Sequence, residues 1–266
     1  MNKKFMSIII VLILLILTTV SLYYVIKNIN PSPIVGEGCN IINQTEGANI
    51  NILFFGKETQ VKEYINYFLS KSPYNENKDS FNFYYIDQER TCEIYKGIAI
   101  LCYSRDLIRQ ASICPNNFII VLQDYPTSIR SSNYINVMSI NINHPKNVIL
   151  HEFGHSFINL AEEYVPAAIP RNSAGNCVQS CIEFNGKENG CYQGCSEANY
   201  YRSVENGIMR TLRSENYGNF NTYLINKTID DFDRKIIVKQ EAFDENLIYT
   251  DGINSAGELE GETFKL

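Results

Sequence analysis

Short apolar runs and amphipathic segments alternate along most of the chain after residue 48. Continuous or alternating apolar runs indicate strands, whereas apolar positions three and four residues apart indicate helices. We predict strands over 49–55, 81–86, 118–122 and 134–141, and a further apolar run covers 97–103. We predict helices over 58–70, 106–112 and 219–238, with another beginning near Pro145. This order indicates an α/β domain, and the run at 118–122 is typical of a buried parallel strand.

The N-terminal part of the chain has a different pattern. Residues 5–26 carry no charge, and a helix of about 22 residues rises roughly 33 Å, enough to cross a bilayer core. We therefore expect a cytoplasmic stub and a transmembrane signal anchor in 1–27, a linker in 28–48, the main folded domain in 49–240 and a tail in 241–266. Lys3 and Lys4 precede the apolar run, which favours a single-pass protein with this domain outside the cell. The alternative is a cleaved signal peptide and a secreted form, but no A-x-A-type site follows the run.

Composition narrows the possible functions. The 266-residue chain is 45% hydrophobic and has a net charge of −6. It therefore lacks the basic surface that nucleic-acid binding requires, and we expect no nucleic-acid partner. Its three histidines are His144, His151 and His155. Any chemistry that depends on histidine must use these positions.

The cysteines indicate an oxidising compartment. All eight lie after the apolar N-terminal segment, and an even number predicts disulfides. Four of them lie in an irregular segment, 165–200, in a Cys-x3-Cys block repeated after nine residues. In a hairpin, the simplest arrangement is nested pairing of Cys177 with Cys195 and of Cys181 with Cys191. The alternative is a four-cysteine zinc site, but structural zinc favours Cys-x2-Cys spacing.

His151, Glu152 and His155 form an HExxH motif, HEFGH. On a helix the two histidines lie one turn apart on the same face, so both imidazoles can bind one zinc ion. Glu152 is then placed to act as general base on a zinc-bound water. The opposite face of this helix is apolar, which indicates that it packs on a core. The motif therefore predicts a zinc-dependent hydrolase.

A catalytic zinc site needs a third protein ligand. Glu162 and Glu163 are candidates, but in a continuous helix Glu162 would lie about 10 Å along the axis from His155, too far to share an ion. Either can bind if the helix ends near Asn159 and the chain reverses, because Asn tolerates the left-handed conformation that such a stop requires. Position 161, where a longer His-zincin pattern has histidine, is Ala161.

Other ligands remain open at this stage. His144 lies on the far side of Pro145, and we expect it to be a cap or a surface residue. If Glu162 and Glu163 are solvated instead, a more distant carboxylate such as Glu183 or Glu197 must complete the site. A tetrahedral intermediate also needs a donor near its oxyanion. The sequence does not choose among Tyr164, Tyr200, Tyr201, Arg202, Arg210 and Tyr217.

Two segments resemble a known family. HEFGHSFINLAEEY, at 151–164, resembles the signature HEFGHSF-x-x-L-x-D-E-Y of the immunoglobulin-A-peptidase family of zinc metallopeptidases. YRSVENGIMRTL, at 201–212, is similar to that family's downstream Met-Arg stretch, a Met-turn-like element beneath the metal in many zincins. The resemblance covers roughly residues 50–235 and is sharpest at these two motifs.

The resemblance implies a zincin-like α/β (α+β) fold with a mixed sheet and an HExxH active-site helix. It implies His151 and His155 as zinc ligands, Glu152 as the base and Glu162, at the family's Asp position, as the third ligand. Glu163 remains the alternative ligand. It also implies Met209 as a hydrophobic floor, although an ordinary core methionine explains that residue equally well.

Together these observations predict a membrane-anchored, outward-facing zinc metalloendopeptidase that binds Zn²⁺ and acts on a peptide or protein substrate. The strand predicted over 134–141 is a candidate sheet edge for an extended substrate. One alternative is a catalytically inactive zincin-fold binding or adhesion module, against which the intact Glu152 argues. Another is a zinc amidase that acts on a non-protein amide of the cell envelope.

Overall fold

The computed structural model describes residues 14–19 and 35–234, with side chains through residue 232. The chain divides into two compact units, Met1–Ile34 and Val35–Leu266. In the first unit, residues 14–19 are helical. The predicted tail, 241–266, and most of the predicted anchor lie outside the described residues.

The prediction of an N-terminal transmembrane helix is corrected by the structure. Within the described residues, no helix has both the length and the apolar character needed to cross a membrane.

The second unit is built on a six-stranded mixed sheet. Its strands, together with those of two smaller sheets, are β1 (Asn40–Asn43), β2 (Ile50–Phe55), β3 (Phe81–Ile86), β4 (Glu93–Tyr95), β5 (Ala99–Leu101), β6 (Phe118–Gln123), β7 (Ser132–Tyr134), β8 (Val137–Asn141), β9 (Tyr192–Cys195) and β10 (Glu197–Arg202). The order in the large sheet is β1-β3-β2-β6-β8-β7. The four central strands are parallel, and β1 and β7 are antiparallel edge strands. The predicted α/β class with a mixed sheet is confirmed.

Helices cover both faces of this sheet. They are α1 (Glu58–Phe68), α2 (Arg105–Ala111), α3 (Val148–Ile158) and α4 (Asn219–Arg234), with 3₁₀ turns at Lys78–Ser80 and Cys181–Phe184. Alternate residues of β2 face opposite sides, as the pleat requires. Ile52 and Phe54 share a core with α1, α3 and α4, whereas Leu53 and Phe55 share a second core with α2. The HExxH helix, α3, therefore packs on the face that carries three of the four helices.

Four disulfides join all eight cysteines of the chain, and none of these cysteines is free. The two pairs between 165 and 200 are the predicted nested pairs, so their sulfurs are not available as zinc ligands. The four disulfides are Cys39–Cys114, Cys92–Cys102, Cys177–Cys195 and Cys181–Cys191.

Several predicted boundaries differ from the structure. Residues 134–141 form part of a hairpin, with β7 and β8 joined through Ile135 at φ 55°. The edge strand is β7, because β8 lies between β6 and β7; the suggestion that 134–141 as a whole forms a substrate-binding edge is thus corrected. Residues 40–43 of the predicted linker form β1, which pairs with β3.

The start of α3 is also later than predicted. The helix begins at Val148 with Asn147 as its N-cap, and Pro145 opens the turn before it. His144 is therefore not the cap of this helix. The ring of His144 instead contacts Ser131 Oγ at 3.3 Å and a backbone carbonyl at 3.1 Å.

Candidate metal centre

Helix α3 presents the HExxH motif from a buried position. Its apolar face, including Ile149, Leu150 and Phe153, is fully buried in the core. The side chains of His151 and His155 are 13% and 7% exposed, and their ring centroids lie 4.7 Å apart. The core thus fixes the helix while the two imidazoles point to the same side of it.

Three potential ligand atoms converge beside α3. His151 Nε2 and His155 Nε2 are 3.2 Å apart. Glu162 Oε2 lies 3.5 Å from His151 Nε2, and Glu162 Oε1 lies 3.3 Å from His155 Nε2. Ligands about 2.1 Å from one tetrahedral ion lie roughly 3.4 Å apart, so these separations suit a single zinc-sized cation. Within the described part of the chain, this is the group of His, Cys and carboxylate side chains that could hold a metal.

The far nitrogens of both imidazoles contact backbone carbonyls. His151 Nδ1 lies 2.9 Å from the oxygen of Ile208, and His155 Nδ1 lies 2.6 Å from that of Leu160. A carbonyl can only accept, so each Nδ1 must carry the proton. In the neutral imidazole, the lone pair on each Nε2 then faces the other potential ligands. A hydrogen bond from Nδ1 to a carbonyl fixes the tautomer and the orientation of the ring, as is usual for histidines that bind metals.

Chain reversal after α3 brings Glu162 to the histidines. The helix ends at Ile158, and Asn159 follows in the left-handed conformation (φ 56°, ψ 46°). The N–H groups of Asn159 and Leu160 bond to the carbonyls of His155 and Gly154 at 2.9 and 3.1 Å. The predicted stop near Asn159 is therefore confirmed. The same turn supplies the Leu160 carbonyl that holds His155.

The two neighbouring glutamates point to different places. The Glu162 carboxylate lies beside the two histidines. The Glu163 side chain is not part of that group and is fully buried. Glu163 Oε1 accepts hydrogen bonds from Asn221 Nδ2 at 2.7 Å and from Asn176 Nδ2 at 3.4 Å. Glu163, the alternative ligand, is thus outside the cluster.

The more distant carboxylates are also outside the cluster. Glu183 forms a capping box with Ser180 in the 3₁₀ turn, and its side chain accepts from the Ser180 N–H at 2.8 Å. Glu197 is exposed on β10. Of these carboxylates, Glu162 is the one that the structure brings to the two histidines.

The Glu162 carboxylate and the imidazole of His151 stabilise each other's charged forms. Burial alone would lower the pKa of His151, but the Glu162 carboxylate outweighs burial and raises it to about 10. Burial likewise tends to raise the pKa of Glu162, and the charges of the two histidines outweigh this and lower it well below its usual range. Glu162 Oε2 is buried without a hydrogen-bond donor among the described residues. A bound cation would satisfy this oxygen and would take the place of the proton that the Glu162 carboxylate otherwise favours on His151.

Glu152 lies beside the cluster with its side chain 6% exposed. Burial raises its pKa, and the neighbouring His151 and His155 oppose that shift. A carboxylate with a raised pKa is better suited to take up a proton near neutral pH than an ordinary glutamate. Glu152 is thus a buried carboxylate with a raised pKa beside the two histidines.

Tyr164 is the candidate oxyanion donor that lies beside the ligands. Its side chain lies close to the Glu162 carboxylate, and burial together with that carboxylate raises its pKa far above the usual value. It therefore stays protonated and able to donate. Three of the other candidates donate elsewhere: Arg202 and Arg210 donate to backbone carbonyls, and Tyr217 donates to Leu150 O. Tyr200 accepts from Gln179.

Met209 packs beneath α3. It is fully buried, and a Cβ on Gly154 would lie 2.9 Å from its Sδ. Its carbonyl accepts from the Glu163 N–H at 2.9 Å, and the preceding Ile208 carbonyl faces His151. The segment predicted as Met-turn-like therefore runs under the motif and contacts both the helix and the ligand-bearing loop.

Sequence reasoning missed the residues that hold this loop. Asn176 and Ser196 bond to the backbone of Ala161 and Glu162. Their only sequence signal is that each adjoins a cysteine, Cys177 or Cys195, of the nested block. That signal becomes readable once the disulfide pairing is known.

We compared the chain with known families and with curated proteins. Neither the family models nor the curated proteins gave a match. The resemblance to the immunoglobulin-A-peptidase signature therefore stays a prediction, and the function has to be inferred from the geometry of the site.

Proposed function

We propose that this protein is a zinc-dependent metallopeptidase that hydrolyses peptide bonds, with His151, His155 and Glu162 as zinc ligands and Glu152 as general base. The observation that supports this most is the convergence of the three ligand atoms within 4.8 Å of one another. Both histidines are held by backbone carbonyls on their other nitrogen, which favours metal binding through Nε2. The adjacent buried residue Glu152 adds a carboxylate that can serve as the general base in hydrolysis.

In the proposed reaction, each residue of the site would have a separate role. Zinc, when bound, lowers the pKa of a bound water to about 7 and polarises a carbonyl. Glu152 takes a proton from the attacking water and passes it to the leaving amine. Tyr164 presents its hydroxyl as a donor for the substrate's carbonyl oxygen, because it lies beside Glu162 and remains protonated.

The compartment forms part of the same proposal. All eight cysteines are paired, which is typical of proteins in oxidising surroundings. We therefore propose that the enzyme works outside the cytoplasm. The similarity of the two motifs to immunoglobulin-A-peptidase-type enzymes supports a peptidase and does not identify a substrate.

The test uses the purified full chain. We expect one zinc per chain by atomic emission and cleavage of members of an unbiased fluorogenic peptide library. Glu152→Gln should retain zinc but lose at least about 100-fold in kcat, within the usual contribution of a general base. Glu197→Gln removes an exposed carboxylate and should change neither property.

Two results would contradict the proposal in different ways. A chain that binds no zinc would remove the metal centre. A chain that binds one zinc but cleaves no peptide would remove the peptidase activity and favour a cell-envelope amide as substrate.

A further inference from the structure

We propose that the Cys177–Cys195 disulfide, with Asn176 and Ser196 beside it, positions Glu162, so that zinc affinity depends on this brace. The inference rests on the metal centre proposed above. Residues 159–163 after α3 have no regular secondary structure. The third ligand therefore lies on a loop, and contacts from elsewhere in the fold must hold it in place.

Asn176 holds the residue before the ligand. Its Oδ1 accepts from the Ala161 N–H at 2.8 Å, and its Nδ2 donates to the Ala161 carbonyl at 2.9 Å. Both backbone groups of Ala161 are thus satisfied by one side chain. Ala161 and Asn176 are both fully buried, so water cannot replace these bonds without a rearrangement.

Ser196 holds the ligand residue itself. Its Oγ donates to the Glu162 carbonyl at 2.6 Å, and its own carbonyl accepts from the Ala167 N–H at 2.8 Å. Ser196 is 1% exposed and has a φ of 57°, in the left-handed region that disfavours residues with a Cβ. A strained residue whose hydroxyl contacts a ligand residue points to a positioning role.

The disulfide links these two contacts. Cys177 follows Asn176, Cys195 precedes Ser196, and the two half-cystines are 6% and 0% exposed. Cys177 Sγ also lies 3.5 Å from the Glu162 carbonyl oxygen. The covalent bond therefore fixes the distance between the two side chains that hold residues 161 and 162. Outer partners of this kind usually change metal affinity by roughly 10–100-fold.

Ser196→Gly separates positioning from stability. Glycine adopts a positive φ readily, so the substitution removes the hydroxyl and relieves the backbone strain. We expect the zinc Kd, measured by competition with a chelator, to rise at least about 10-fold, while the Tm of the zinc-free chain does not fall. The matched control is Asn185→Gly, an exposed residue at φ 54° in the same segment, which should leave the zinc Kd unchanged.

Disulfide variants provide the second comparison. Cys177→Ala/Cys195→Ala should weaken zinc binding at least about 10-fold, as should Asn176→Ala. Cys181→Ala/Cys191→Ala removes the inner nested disulfide, whose sulfurs form none of the described hydrogen bonds with residues 161–163, and should retain near wild-type affinity. The absorption spectrum of cobalt-loaded protein should change with the first pair of substitutions and not with the second.

The outcomes distinguish this inference from the proposed function. If the wild type binds zinc and Ser196→Gly matches Asn185→Gly in zinc Kd, the brace is overturned while the metal centre stands. Equal zinc affinity in the two double-cysteine variants would overturn it as well. A wild-type chain that binds no zinc would overturn both the brace and the metal centre.

Discussion

Titration of Glu163 should control much of the pH dependence of stability. This carboxyl group is fully buried, and its Oε2 has no hydrogen-bond partner among the described residues. Burial raises its pKa to about 7, although the amides of Asn221 and Asn176 act in the opposite direction. In the unfolded chain the same group would titrate near its ordinary value of 4.5.

The sign of the effect follows from the proton that the folded state keeps. Between pH 4.5 and about 7, the folded chain holds a proton on Glu163 that the unfolded chain has released. The free energy of unfolding must then fall as the pH rises through this range. At about 1.4 kcal/mol per pKa unit, the loss amounts to roughly 3 kcal/mol. This contribution is fully present below pH 4.5 and lost above about pH 7.

Glu163→Gln should remove this loss. Glutamine resembles the neutral acid in shape and keeps an oxygen that can accept from Asn221. The quantity to compare is the unfolding free energy of the variant minus that of the wild type. We expect this difference to increase by roughly 3 kcal/mol from pH 4.5 to pH 7.5, because only the wild type loses stability. The measurement is urea unfolding of zinc-free protein with disulfides intact, at a series of pH values.

The matched control is Glu197→Gln, which removes the same charge from an exposed position. Its difference from the wild type should stay flat over the same pH range. If the unfolding free energies of the wild type and Glu163→Gln change in parallel with pH, the claim that burial raises the pKa of Glu163 is refuted. This holds whatever the constant difference between the two curves.

Three further predictions concern the metal centre and its helix. Glu162→Gln should weaken zinc binding more than 100-fold, because it changes a proposed ligand; changes to residues that only contact ligands usually cost roughly 10–100-fold. Glu163→Gln should change the zinc affinity by no more than a few-fold. Equal losses in chelator competition would argue against Glu162 as the ligand. Gly154→Ala would place a Cβ 2.9 Å from Met209 Sδ and 3.2 Å from Leu160 Cδ1, and should cost about 1–3 kcal/mol in thermal unfolding; an unchanged Tm would contradict this close packing. Tyr164→Phe should lower kcat by roughly 100-fold with zinc content unchanged, and a variant with normal kcat would exclude Tyr164 as the oxyanion donor.

Regular periodicity explains which parts of the fold were predictable. The strand at 81–86 and the main part of α1 follow directly from apolar spacing in the sequence. The hairpin within 132–141 does not, because Ile135 adopts φ 55°, which a β-branched residue avoids locally. Pairing of β7 with β8 imposes this turn, and Ser156 Oγ donates to the Ile135 carbonyl at 3.3 Å. Contacts formed only in the folded chain therefore override the local preference.

The choice between Glu162 and Glu163 shows why the site was only partly predictable. The two residues are chemically identical neighbours, so local sequence cannot rank them, and Asn159 predicts only that the chain reverses. The ranking comes from Asn176 and Asn221, whose amides give Glu163 two donors inside the core. Exchanging the two roles would leave these buried amides without their acceptor, at about 1–3 kcal/mol for each lost partner. Among the described hydrogen bonds Glu162 has no amide donor, and its Oε2 lies unpartnered beside the two imidazoles, so the fold brings Glu162 and not Glu163 to the candidate metal site.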